Sequence, residues 1–114
     1  MNKSQKKTIT NLRTNILTLS HKAKTSHVGG CLSIVEILTV LFNNILKTSS
    51  NKKKFFEDTF ILSKGHACLA LYCMLYEKKI LSKKTLFGYG ENNNLLMSHA
   101  SHYVPGVKFS TGSL

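Results

Sequence analysis

The sequence predicts an α/β fold that is mostly helical over this stretch. Three observations carry that prediction: an apolar stripe at helical spacing near the N-terminus, a strand, tight turn and helix in succession in the middle, and a second short β-like run near the end. Ile9, Leu12, Ile16, Leu19 and Ala23 step by three and four residues, which makes one face of a helix over about Ser4–Lys24 apolar and leaves Lys6, Lys7 and Lys22 off that face. Thr25–Gly30 breaks the pattern, and the adjacent Gly29 and Gly30 predict a tight connection. A second helix is expected from Ser33, whose spacing to Glu36 matches a capping box. Ile34, Val35, Ile37, Leu38, Val40, Leu41, Phe42, Ile45 and Leu46 then point in almost every direction, which predicts burial all round. Lys47–Lys54 reads as a basic loop and Thr59–Leu62 as a strand. Ala67–Lys79 reads as a helix with Leu71, Met74 and Leu75 inward. Ser82 is placed to cap a short helix through Phe87, Gly88–Asn94 is loop, Leu95–Met97 is a short apolar stretch, and Val107–Phe109 is the second short strand. No internal repeat or domain boundary is visible.

Composition narrows the class. The chain has 114 residues, 42% of them hydrophobic, which suits one domain able to bury roughly 65% of its unfolded surface. One proline and seven glycines exclude collagen-like and proline-rich architectures. No apolar run approaches the roughly 18 residues of a membrane span, and the lysine-bearing N-terminus has no apolar signal core, so no membrane contact and a cytoplasmic location are expected. Cys31, Cys68 and Cys73 are an odd number with no framework spacing, which predicts buried free thiols. The net charge is +11, from 16 basic and 5 acidic residues. Its lysines are dispersed and Arg13 is the one arginine, so no specific nucleic-acid partner is expected.

The acidic residues Glu36, Glu57, Asp58, Glu77 and Glu91 supply neither convergent oxygen ligands nor a catalytic carboxylate pair, and no zinc spacing, nucleophile elbow or P-loop is present. The histidines are more informative. His21 falls inside the first helix, whereas His27, His66, His99 and His102 fall in or beside loops. Ser63-Lys64-Gly65-His66 closes the expected strand and opens a helix. Glycine there lets the backbone approach a ligand, the first amides of the helix are expected to point outward unpaired, and the imidazole adds a donor, an arrangement suited to phosphate.

With these motifs in place, the chain resembles the N-terminal part of transketolase, and more closely the separate N-terminal subunit of split transketolases, from about Leu12 to Leu114. The resemblance rests on His27-Val28-Gly29-Gly30-Cys31-Leu32-Ser33, on Phe60–Ala67 with Ala70-Leu71-Tyr72, on Ser98-His99-Ala100, and on Pro105-Gly106-Val107 followed by Ser110–Leu114. It implies the N-terminal part of a thiamine-diphosphate-binding, parallel-sheet domain. It also implies transfer of a two-carbon ketol unit between sugar phosphates, with thiamine diphosphate and Mg²⁺ as cofactors. His66 and Gly65 would contact the cofactor diphosphate, Gly112 and Leu114 would pack near its rings, and His27 and His99 would act as catalytic groups in the substrate channel. The implied partners are the sugar-phosphate substrates and a C-terminal transketolase subunit or domain, in a homo- or hetero-oligomer.

The sequence departs from the family pattern at Val28, Ser98 and Glu57-Asp58-Thr59-Phe60, and it ends before the family's metal and diphosphate motif. Residues 1–114 therefore read as a partial, truncated domain whose metal ligands come from elsewhere, and the chain alone is not expected to catalyse. A non-catalytic remnant, an enzyme of the deoxyxylulose-phosphate synthase type, and a basic nucleic-acid-binding module are the other readings.

Overall fold

The computed structural model describes residues 1–50, 55–92, 94, 96, 102–108, 110 and 111. Helix α1 spans Lys3–Ala23, one residue from the expected bounds at each end. Asn2 and Gln5 form a reciprocal cap: Asn2 Oδ1 accepts from the Gln5 amide at 2.8 Å, and Gln5 Oε1 accepts from the Asn2 amide at 3.1 Å. The apolar stripe goes inward as predicted, with Leu12, Ile16 and Leu19 fully buried. Lys24 closes the helix in the left-handed conformation (φ 54°), and the amide of Thr25 donates to the Ser20 carbonyl at 3.1 Å.

The stretch expected to be a tight glycine connection is instead helix α2, Val28–Ser33, followed after Ile34 by α3, Val35–Val40, and a π-helical turn, Leu41–Ile45. Two glycines weaken a helix, but here the burial of Cys31 and the packing of α2 on α1 and on the later elements outweigh that cost. The expected capping box does not form. Ser33 Oγ donates back to the Gly30 carbonyl at 2.8 Å, and Glu36 is drawn to Arg13 of α1. Burial of the second helical stretch is one-sided: Val35, Leu38 and Phe42 are buried, whereas Ile37 is 58% exposed.

A 3₁₀ turn, Gly65–Ala67, leads into α4, Cys68–Glu77, and α5 follows at Lys83–Phe87. Helix α4 is the centre of the core. Every residue from Cys68 to Leu75 is buried, and the helix packs against α1, α2, α3 and α5. Ser82 caps α5 as predicted, accepting from the Thr85 amide at 3.1 Å.

The expected strands are not formed among the described residues, and no sheet, parallel or otherwise, is present there. Thr59–Leu62, Val107 and Lys108 carry the right side-chain pattern but no ladder, and Phe109 lies outside the described residues. A strand is defined by its neighbour as much as by its own residues. The two segments do approach one another: Lys108 Nζ donates to Thr59 Oγ1 at 3.4 Å, and both line a cavity of about 310 Å³ walled by Phe42, Phe55, Phe56 and Phe60. An antiparallel bridge between Thr48 and Phe56 ties down the loop before them. The stretch expected at Leu95–Met97 lies, apart from Leu96, outside the described residues.

Candidate cofactor-binding site

His27 precedes α2, and its carbonyl receives the amide of Cys31 at 3.2 Å, so the ring is carried at the mouth of that helix. His66 is the central residue of the 3₁₀ turn. Because α2 packs on that turn and on α4, the two imidazoles meet with ring centroids 4.3 Å apart and planes tilted by 35°. His27 is exposed and His66 half-buried, so both rings can meet a ligand without opening the core.

The turn's backbone corrects one expectation. The Gly65 amide donates to Ser63 O at 2.9 Å, the Ala67 amide to Lys64 O at 2.9 Å, and the Cys68 amide to Gly65 O. The tighter 3₁₀ winding engages these donors locally. Gly65 itself is buried.

Sequence reasoning missed two neighbours. The Lys64 ammonium donates to Ser33 Oγ at 3.5 Å, so the lysine of the turn is tied to the end of α2. Its stem passes Gly30, where an added Cβ would lie 3.9 Å from Lys64 Cδ. The signal was present in the Ser63–His66 motif, but a residue expected to cap the next helix gave no hint of becoming a seat for lysine.

The nearby thiols are unsuited to nucleophilic work. All three cysteines are free and buried. Burial pushes Cys31 up, against opposing contributions from the Ala70 and Leu69 backbone and the Lys64 charge. Burial likewise pushes Cys68 up to about 12 and Cys73 higher still. The side-chain N–H donors here are the two imidazoles and, from the turn that carries His66, the Lys64 ammonium. Among the described residues no group of three or more His, Cys, Asp or Glu could hold a metal ion.

Of the other expected site residues, His99, Gly112 and Leu114 lie outside the described residues. His102 is exposed, stacks on Tyr103 with centroids 4.1 Å apart, and has Nδ1 2.7 Å from Ser110 Oγ. No helix among the described residues is long and apolar enough to cross a membrane.

Comparison with known proteins supplies the family. Residues 4–114 match the family described as transketolase, thiamine diphosphate binding domain, and the chain belongs to that family. Among its relatives, one subunit of the apulose-4-phosphate transketolase of Phocaeicola vulgatus is 36% identical over 103 residues, covering 90% of this chain and 37% of that protein. Transketolase 2 of Escherichia coli is 32% identical over 96 residues, 82% of this chain and 14% of that enzyme. Human transketolase is 30% identical over 110 residues, 96% of this chain and 18% of that enzyme. The chain spans 37% of the first relative's length and less than a fifth of the other two.

Proposed function

We propose that this chain supplies the diphosphate-gripping part of a transketolase-type transferase, which moves a two-carbon ketol unit between sugar phosphates. The observation that carries this reading is the His27–His66 pair beside Lys64, within a chain of the thiamine diphosphate binding family. The donor set fits a diphosphate: imidazole and ammonium donors on side chains, around a mouth that is open at His27. Thiamine diphosphate, when bound, supplies the carbanion chemistry of ketol transfer.

The roles proposed for this chain's own residues follow from placement. His66, half-buried on a rigid turn, donates to diphosphate oxygen. His27, exposed and stacked on His66, faces the open side, where an imidazole can exchange a proton with a substrate hydroxyl. His99 is proposed as a second proton-exchanging group, and Gly65, Gly112 and Leu114 as cofactor neighbours, on the family resemblance. The described residues do not supply a ligand set for Mg²⁺, and no step is derived through a metal. A complementing subunit or domain is proposed as partner, supported by the Phocaeicola vulgatus relative, which is named as one subunit of its transketolase. A cytoplasmic location is proposed from the lysine-bearing N-terminal sequence, which has no apolar signal core.

The test is a titration of the full chain, following the His27 and His66 ring protons by NMR. Thiamine diphosphate and inorganic pyrophosphate are expected to move both rings, thiamine neither, and His66→Asn to remove most of the response. Equal response to thiamine, or none to either diphosphate, would overturn the reading. Mixing the chain with a complementing transketolase subunit, with a ketose phosphate donor and an aldose phosphate acceptor, then reads activity.

A further inference from the structure

We propose that the phenylalanine-walled cavity between residues 55–60 and 106–108 binds a small zwitterion with an aromatic side chain, the chemistry of a free aromatic amino acid. The cavity shares no lining residue with the imidazole mouth, so this reading and the diphosphate reading stand or fall separately.

The walls are apolar and fixed before any ligand arrives. Phe42 is buried and holds Phe56 and Phe60 edge-on, with ring centroids 5.4 and 5.3 Å away and planes at 83° and 66°. The Phe55 carbonyl accepts the Ser49 amide at 3.0 Å, and the Glu57 amide donates to the Lys47 carbonyl at 2.8 Å, so the segment is laced to the loop before it. Phe55 is nonetheless 49% exposed, an apolar surface left open at a cavity rather than scattered over the molecule. The volume of about 310 Å³ lies at the lower end of those that hold small ligands. A guest ring there can make further edge-to-face contacts with the wall.

The rim carries charge of both signs. The chain has five acidic residues and a net charge of +11, yet two of the five, Glu57 and Asp58, stand at this cavity beside Lys108. Both carboxylates are oriented in advance, which lowers the ordering cost of binding. Glu57 Oε1 accepts from Ser49 Oγ at 2.9 Å, and Asp58 Oδ2 accepts from the Lys47 amide at 2.9 Å, leaving Asp58 Oδ1 for a ligand ammonium. Lys108 Nζ donates to Thr59 Oγ1 at 3.4 Å, a long contact to a neutral acceptor from a group with three protons to give. A ligand carboxylate is the stronger acceptor. Charge then selects among aromatic ligands. An organic cation meets the chain's own positive field, and an anion meets two carboxylates at the rim. A zwitterion is neutral overall and answers both signs.

Phenylalanine titrated into the full chain is the probe, followed by saturation-transfer NMR on the ligand's ring protons. Phenethylamine and phenylpropionate, each lacking one of its charges, are expected to bind about tenfold more weakly. Asp58→Asn should weaken phenylalanine about tenfold and leave phenylpropionate unchanged, whereas Lys108→Met should weaken phenylalanine as much and leave phenethylamine unchanged. Both side chains are exposed, and circular dichroism checks that each variant folds. No saturation of phenylalanine up to its solubility overturns the proposal. Equal binding of all three aromatic ligands, or losses that ignore which charge the ligand carries, marks an apolar hollow that takes any ring and also overturns it. N-acetylphenylalanine amide stands in for a phenylalanine within a peptide and is expected to bind more weakly than the free amino acid. A preference for the amide would assign the cavity to a protein partner and overturn the proposal.

Discussion

The imidazole of His66 lies against that of His27, centroids 4.3 Å apart, although one ring comes from the turn before α4 and the other from the start of α2. Packing of α2 on the turn and on α4 holds them there before any ligand arrives. Rings that meet a shared ligand should not act independently. A double-mutant cycle with His27→Asn and His66→Asn, read by pyrophosphate affinity, is expected to give a coupling of about 0.5 kcal/mol or more. Additive losses would show that the stacking has no bearing on binding.

Two glycines should respond to alanine with opposite signs. Gly90 sits at φ +83°, and an added Cβ would come 2.4 Å from Ala23 Cβ at the end of α1. Gly90→Ala is expected to destabilise by about 2 kcal/mol or more. Gly29, inside α2, has nothing within 4 Å of an added Cβ, so Gly29→Ala should stabilise by up to about 1 kcal/mol. Urea melts of the two variants decide the matter, and shifts of the same sign would contradict it.

Helix α4 should be the most sensitive element to truncation. Leu75 is fully buried, and its Cδ2 lies against Gly106, which itself has φ +88°. Leu75→Ala should cost about 2–5 kcal/mol through lost transfer energy and the cavity left behind. Leu17→Ala, at an exposed site on α1, should cost under about 0.5 kcal/mol. Similar losses at the two sites would argue against α4 as the core.

Stability should fall in alkaline solution because of the buried thiols. Below the ordinary thiol value of 9.0 both folded and unfolded chains keep the proton. Above it the unfolded chain releases the proton, while folded Cys68 holds it up to about 12. The unfolded state then binds fewer protons, so stability declines from about pH 9 upward, by at most about 1.4 kcal/mol per pH unit for each thiol. Urea denaturation between pH 8 and 11, about the range set by these values, measures the slope. Replacing Cys68 by Ala should reduce the slope, and an unchanged slope would locate the effect elsewhere.

The two expected caps should also separate. Ser82 accepts the Thr85 amide at the start of α5, so Ser82→Ala should cost about 1 kcal/mol. Glu36 is engaged with Arg13 in a partly exposed ion pair, so Glu36→Gln should cost less than about 1 kcal/mol. A larger loss at Glu36, read by thermal melting, would favour the capping role that the sequence spacing suggests.

How much of the molecule is legible in the sequence depends on the range of the interaction. The stripe Leu12, Ile16 and Leu19, the Ser82 cap and the buried thiols are readable because periodicity, capping and hydrophobicity are local. The family resemblance in Phe60–Ala67 is legible for the same reason, since it lies in neighbouring residues. The strand expected at Thr59–Leu62 does not form because a β-branched and aromatic run reports a segment's own preference and says nothing of a neighbour to pair with. Ser33 and Glu36 have the spacing of a cap, yet each finds a stronger claim, Ser33 on the Gly30 carbonyl and Glu36 on Arg13.

The amino-acid order alone determined where the principal helices lie, which stripe faces the core and which family the chain resembles, because each is written in neighbouring residues. Tertiary structure decided that His27 meets His66, that Lys64 rests on Ser33, and that the turn's amides bond to its own carbonyls. These are contacts between distant segments, or competitions between local hydrogen bonds, and their outcome follows from how α2 seats itself on the turn and on α4.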